Sequence, residues 1–307
     1  AEGRGYRSAD LQVLQSLGLN ADMTAGHSYG EYVALFAGGA IDETTLHRLS
    51  EARGRFIVES AGGDLGTMAA VTAGPGEVST AIEGIADLWI ANLNSPQQTI
   101  ISGSTAAIET AVTKLEQRGL RCKRFAVSCA FHSPLVAPAK EKLAAFLQSC
   151  TFRPPRIDVY SNTTAQPHPQ DAQAISGQLS EHLVRPVRFV EEIEAMYAAG
   201  ARTFVEVGPG NVLTNLAKRI IGDRPHLVLA TDAAGRDGRT QLQHCLAQLI
   251  VQGVPVRAER LLQGRVGRTL ELETLVAATR PAEPAPTTWL VDGGKARPLR
   301  EQPGLQP

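Results

Sequence analysis

The 307-residue sequence has almost no net charge: 30 Lys and Arg stand against 31 Asp and Glu, a formal −1 at pH 7. Nucleic acids and anionic membrane surfaces are recognised through a concentrated positive field, so neither is expected as a partner. There is no run of about 18 apolar residues to span a bilayer, and Ala1 to Asp10 lacks the basic, apolar, small-residue order of a secretory signal. These absences lead us to expect a soluble, cytoplasmic protein. Cysteine is sparse: Cys122, Cys129, Cys150 and Cys245 form no CxxC pair, which implies neither a zinc site nor a disulfide framework, and no metal ligand is assigned. No internal repeat is visible. What is present is bulk, since 43% of the residues are apolar and a chain of this length buries a core without staples. Ala1 is not a start methionine, and a chemically loaded motif arrives after only 25 residues; the expectation is a piece of something longer.

Apolar spacing predicts a helix over 8–18, closed by Gly18. A short apolar run at 21–25, then Gly26-His27-Ser28-Tyr29-Gly30, then helix formers from Glu31 to Ala37 read as strand, tight turn and helix. Asp42 caps a further helix that keeps an apolar face to about residue 60. From 66 to 128 the texture changes to six short elements: strand 67–73, helix 77–84, strand 88–94, strand 98–102, helix 105–118 and strand 122–127. This is the split βαββαβ pattern of a ferredoxin-like subdomain, with Asn94-Ser95-Pro96 turning a hairpin. Beyond it, predicted strands at 157–162, 203–207 and 226–230 alternate with helices at 137–149, 171–183, 190–199, 212–221 and 239–253, which implies a parallel sheet covered on both faces. The expected class is α/β: a hydrolase-like parallel-sheet core made of 1–65 and 129–260, an insert over 66–128, and a linker over 261–307 whose segment Arg280 to Thr288 is Pro-rich.

Gly26-His27-Ser28-Tyr29-Gly30 matches the GxSxG elbow, in which a sharp strand-to-helix turn exposes a nucleophilic serine. The backbone amide of Tyr29 then points to where an oxyanion would form, at the positive end of the following helix. A tight structural turn with a buried serine is the plain alternative. Ser28 needs a base, and seven histidines compete. His27 faces away from Ser28 in an elbow, while His47, His168, His182, His226 and His244 lie in polar or terminal settings that suggest the surface. His132, in Ala130-Phe131-His132-Ser133-Pro134, follows the strand that returns from the insert to the main body, though an ordinary structural histidine would also fit there.

Taken together, Gly26-His27-Ser28-Tyr29-Gly30-Glu31, Arg53-Gly54-Arg55, Asn92-Leu93-Asn94-Ser95-Pro96-Gln97-Gln98, Phe131-His132-Ser133-Pro134 and Glu206-Val207-Gly208-Pro209-Gly210 resemble, in order and approximate spacing, the malonyl-CoA:acyl-carrier-protein acyltransferases. More narrowly, the chain is similar to the acyltransferase domain of an iterative type I polyketide synthase, with Tyr29 and Cys129 pointing to the fully malonyl-using kind. The resemblance covers about residues 9–260, and the tail resembles the linker that follows such domains. It implies that malonyl passes from malonyl-CoA to Ser28 and on to the phosphopantetheine thiol of an acyl carrier protein, with other domains of the same synthase as partners and no permanently bound cofactor. By the same resemblance His132 is the general base and acid, oriented by a backbone carbonyl near Arg185-Pro186-Val187-Arg188-Phe189. Arg53 pairs with the free carboxylate of malonyl, Phe131 excludes an α-methyl branch, and His27 and Asn94 belong to substrate binding. The family also carries a Gly-Gln-Gly-Ser-like strand upstream of the elbow. Nothing of that kind lies between Ala1 and Gly26, so a first strand and a second oxyanion donor are expected to be missing. A serine hydrolase or thioesterase-like enzyme, which expects Ser, acid and His in that order, and an inactive docking fragment remain as alternatives. The basic stretch Arg118, Arg121, Lys123 and Arg124 is the candidate surface for an acidic carrier.

Overall fold

In the computed structural model, residues 3–60, 64–127, 129–264, 285, 288–291 and 296–298 are described. The chain opens with α1 (Gly3–Ser16), stopped by Gly18 at φ 82°, a conformation open to glycine without steric cost. β1 (Met23–Thr24) is only two residues long, because Gly26 turns the chain immediately into α2 (Gly30–Ala37). α3 (Glu43–Glu59) begins at Asp42, whose carboxylate accepts the Thr45 N–H and satisfies one of the orphan donors of the first turn. The buried faces of α2 and α3, with Leu35, Leu46 and Leu49, pack with Leu143 and Leu147 of α6 (Ala137–Leu147) and Ile175 and Leu179 of α7 (Ala172–His182).

Residues 67–124 run β2 (Thr67–Val71), α4 (Pro75–Ile82), β3 (Leu88–Ser95), β4 (Gln98–Gly103), α5 (Thr105–Gln117) and β5 (Cys122–Arg124), the element order that the sequence pattern predicts. The four strands form one antiparallel sheet in the order β3-β4-β2-β5. Pro96 and Gln97 make the β3–β4 turn, between the paired Ser95 and Gln98. Val71, Ile101, Val78, Ile108 and Leu115 bury the sheet's inner face under α4 and α5. The outer edge is stitched back to the rest of the chain: Leu93 N–H donates to Val187 O at 2.9 Å and Val187 N–H to Ala91 O at 2.8 Å.

The remaining elements are β6 (Asp158–Val159), α8 (Phe189–Ala198), β7 (Thr203–Glu206), α9 (Val212–Ile221), β8 (Leu227–Ala230) and α10 (Gly238–Val251). Phe189, Ile193, Leu216, Ile220 and Val228 form a second core. The single parallel sheet expected from the sequence is corrected to two parallel pairs, β1–β6 and β7–β8. Among the described residues no strand joins them. β1 is cut short by the elbow, and beyond β6 the chain turns back at Ala165, which has φ 56°. Contacts divide the chain into residues 1–258 and 259–307. In the second unit β9 (Trp289–Val291) pairs antiparallel with β10 (Ala296–Pro298), and the Pro-rich stretch expected as a linker lies almost wholly outside the described residues. No described helix is long and apolar enough to cross a membrane.

Candidate active site

Ser28 sits on a strained turn, with φ 52°, the left-handed region that costs a side-chain-bearing residue of order 1–3 kcal/mol. The flanking glycines make the turn possible: a Cβ on Gly26 would lie 2.0 Å from the Gly30 carbonyl. Gly30 N–H and Glu31 N–H donate to His27 O and Ser28 O, both at 2.9 Å, starting α2. Among the described residues no acceptor takes the Tyr29 N–H, which leaves it available to a developing oxyanion at the helix N-terminus.

His132 arrives opposite Ser28 from the chain that follows β5, held by its N–H to Leu183 O at 3.1 Å. Its Nε2 is 2.7 Å from Ser28 Oγ. Its Nδ1 lies 3.1 Å from His182 O and 3.0 Å from Arg185 O. Carbonyls only accept, so Nδ1 carries the proton and the Nε2 lone pair faces the Ser28 hydroxyl. Burial, then the neighbouring His182, Arg53 and His27, hold the His132 pKa well below the usual histidine value, which keeps the ring neutral and able to accept a proton. Among the described residues no carboxylate pairs with His132; two backbone carbonyls do the orienting.

A cleft of about 280 Å³ opens above this pair. Ser28, His132, His27, Arg53 and Phe131 line it together with Met68, Asn92, Asn94, Ile100 and Phe125 from residues 67–127. His27 Nε2 is 2.7 Å from Asn94 Oδ1, and Asn92 Nδ2 lies 3.4 Å from the same nitrogen. Arg53 reaches in from α3. Its guanidinium lies over the rings of Phe131 at 5.5 Å, Tyr29 at 5.9 Å and Tyr32 at 6.0 Å. Among the described residues it has no carboxylate partner, and its Nε is buried without an acceptor. Burial pushes the Tyr32 hydroxyl up to about 12, so the Tyr32 ring brings no compensating charge to Arg53. Cys129, buried beside the cleft, is pushed up to about 11 by burial and stays a thiol. No group of three His, Cys, Asp or Glu among the described residues could hold a metal ion. Arg118, Arg121, Lys123 and Arg124 are exposed at the end of α5 and along β5, and Arg124 pairs with Glu109 at 3.2 Å.

The structure adds residues that the sequence reading left out. Asn162, just after β6, accepts the Ser28 N–H on Oδ1 at 2.6 Å and donates from Nδ2 to Gly26 O at 2.5 Å. Glu31, in the first turn of α2, is fully buried. Its Oε1 accepts from His168 Nε2 at 2.8 Å and its Oε2 from Asn162 N–H at 2.9 Å. Burial opposes ionisation of Glu31, but His182, His168 and Asn162 outweigh it and hold the carboxyl below its usual value. His168 and His182, expected on the surface, are corrected to the interior: both side chains are fully buried around Glu31, because the polar residues near them in sequence are not their neighbours in space. Burial pulls His182 down to about 4. One signal for this network was in the sequence: Glu192 lies on the apolar stripe of Phe189, Ile193 and Met196, where an unpartnered charge would be costly.

Comparison with known proteins bears on this arrangement. The model of the acyl transferase domain matches residues 6–239. The chain is 37% identical over 221 residues to the malonyl CoA-acyl carrier protein transacylase of Bacillus subtilis, covering 69% of this chain and 68% of that one. The chain belongs to the acyl transferase domain family. It is also 34% identical over 250 residues to a polyunsaturated fatty acid synthase subunit from a Thraustochytrium species, matching 80% of this chain and only 9% of that much longer protein. Among solved structures, the acyltransferase domain from the second module of the salinomycin polyketide synthase superposes with a TM-score of 0.76 at 30% identity, covering 86% of this chain and 63% of that one. The acyl transferase domain thus spans a small part of some relatives and about two thirds of others.

Proposed function

We propose that this acyl transferase domain takes malonyl from malonyl-CoA onto Ser28 as an ester and passes it to the phosphopantetheine thiol of an acyl carrier protein within a polyketide synthase. The observation that carries the reading is the 2.7 Å contact between Ser28 Oγ and a neutral His132 Nε2, at the floor of a cleft holding an arginine with no carboxylate of its own. As Oγ attacks the thioester carbonyl, His132 Nε2 takes its proton, and the Tyr29 N–H receives the charge on the carbonyl oxygen. The C–S bond then breaks and His132 returns the proton to the departing coenzyme A thiolate. In the second half the carrier thiol gives its proton to His132 and attacks the ester carbonyl; the C–O bond breaks and Ser28 Oγ is reprotonated. Arg53 pairs with the malonyl carboxylate through a planar fork, held among the rings of Tyr29, Tyr32 and Phe131. Phe131 limits space beside the acyl chain, and His27 and Asn94, joined by their 2.7 Å contact, complete the lining. In the same reading residues 66–128 are a ferredoxin-like subdomain inserted between the halves, 1–65 and 129–260, of a hydrolase-like core, 261–307 is a linker to other domains of the synthase, and the exposed basic residues Arg121 and Lys123 face the acidic carrier.

Intact-mass measurement after mixing with malonyl-CoA tests this. The chain is expected to gain one malonyl group, lost in Ser28→Ala and discharged by a phosphopantetheinylated carrier. Malonate release without carrier transfer would mean a hydrolase instead, and no adduct at all an inactive fragment.

A further inference from the structure

Asn162 has every one of its polar groups engaged. Its backbone N–H donates to Glu31 Oε2 at 2.9 Å and its carbonyl accepts from Arg188 N–H at 3.0 Å. Its Oδ1 accepts the Ser28 N–H, and its Nδ2 donates both to Gly26 O and to Glu192, whose two oxygens lie 3.0 and 2.9 Å away. The amide orientation follows from the partners, since Ser28 N–H can only donate and Gly26 O can only accept. The side chain is fully buried.

These partners straddle the nucleophile. β1 ends at Thr24, so the Gly26 carbonyl and the Ser28 N–H lie beyond the strand's ladder, and the strained turn between them is closed from outside by a single carboxamide. The third tie reaches the other half of the reacting pair: Arg188, which donates to the Asn162 carbonyl, lies three residues after Arg185, whose carbonyl orients His132 Nδ1. One residue therefore joins the support of Ser28 to the support of His132.

We infer that Asn162 is a positioning residue for acyl transfer: by clamping Gly26 O and Ser28 N–H and tying them to the 185–188 segment, it sets the approach of Ser28 Oγ to His132 Nε2. It touches no substrate. Glu192 supports it from below by accepting from Nδ2, and Glu31 fixes its backbone from the first turn of α2. A misplacement of about 1 Å between reacting groups can cost about 100-fold in rate, which gives a single amide a large lever. The inference rests on Ser28 being the nucleophile of the proposed reaction but not on malonyl being its cargo.

An alkyl fluorophosphonate, which phosphonylates an activated serine by forming a P–O bond as the P–F bond breaks and fluoride leaves, the hydroxyl proton going to the base, needs no malonyl group and separates the two. The 307-residue chain is labelled to completion to count reactive sites, and the rate is then expressed per site, well below the melting temperature. Asn162→Ala is expected to lower the rate per site about 100-fold. Asn162→Asp keeps an acceptor for Ser28 N–H and exchanges the N–H donors for an oxygen; it is expected to lower the rate about tenfold and serves alone if the alanine variant does not fold. In malonyl loading the same variants are expected to reduce kcat with KM within about twofold of the parent. A purely structural residue would instead reduce the melting temperature and the number of reactive sites while leaving the rate per site intact. A per-site rate within twofold of the parent in the folded variants overturns the inference, as does failure of Ser28 to label in the parent chain. If the parent labels and the variants slow as expected but malonyl-CoA leaves no adduct, the proposed substrate falls and the positioning role stands.

Discussion

The polar groups below Ser28 and those above it are built in opposite ways. Below, Asn162, Glu31, His168 and Glu192 are buried and bonded mainly to one another, with all of Asn162's donors and acceptors paired. Above, in the cleft, Arg53 is half-buried, stacked among aromatic rings and left without a carboxylate or an acceptor for Nε. An unsatisfied buried donor costs about 1–3 kcal/mol. A fold that leaves one open beside a cavity keeps free energy that a ligand's carboxylate can recover on binding. Saturation in the lower region belongs to Asn162, since His168 Nδ1 and His182 Nδ1 are buried there without a partner among the described residues; but those nitrogens lie in the interior, whereas Arg53 lines the cleft. The difference teaches how to sort these two residues: the saturated Asn162 can only hold its neighbours in place, and the unsaturated Arg53 faces a cavity from which a ligand can pair with it.

Breaking the upper region has the largest expected effect. Arg53→Ala removes the cation and leaves Ser28 and His132 in place. The kcat/KM for malonyl-CoA is expected to fall about 100-fold, against a few-fold for acetyl-CoA, which has no carboxylate to pair. Equal losses for both thioesters would show Arg53 to be structural and would erase the contrast.

The lower region is sharpened by pH. Burial, then the neighbouring Glu31 charge, raises the Glu192 pKa well above its usual value. The folded protein therefore keeps this proton over a range of pH above 4.5 in which the unfolded chain has lost it, and this group makes stability fall as pH rises through that window. Glu192→Gln removes the titration. Near pH 4 the variant and its parent are expected to melt together, and by pH 7 the variant should melt about 2–4 °C higher. Melting curves across that range check it; a constant offset would mean that Glu192 is not the titrating group.

The smallest effect is expected at the exposed rim. Arg121→Glu with Lys123→Glu is expected to slow transfer to an acidic carrier about three- to tenfold at low ionic strength. Salt should abolish the difference, since exposed charges act on encounter and are screened. Stopped-flow transfer rates at two salt concentrations decide it, and a salt-independent loss would place the carrier elsewhere.

Ser28 and His132 were legible because each sits in a local string with its own punctuation: glycines on both flanks of Ser28 and a returning strand before His132. Arg53 was legible only through family resemblance, since Glu51-Ala52-Arg53-Gly54-Arg55 reads by itself as a solvated helix face. The elements of residues 67–124 were legible almost one by one, because hairpins and short helices are specified by nearby turn residues and local periodicity. The parallel strands were not: 157–162 was expected as a full strand and pairs only at Asp158 and Val159, since parallel pairing depends on neighbours far away in sequence.

Sequence alone determined the chemistry at single positions: a serine that only flanking glycines allow into a left-handed turn, a histidine at the re-entry of the chain, an apolar stripe interrupted by Glu192. Tertiary structure decided which polar groups saturate one another. Asn162 lies 134 residues from Ser28 in the chain, and His168 lies 137 from Glu31. Hydrogen bonds act over about 3 Å and carry no trace in sequence spacing. Only folding brings those partners together, and so only the fold separates the residues that hold Ser28 from those left free to bind.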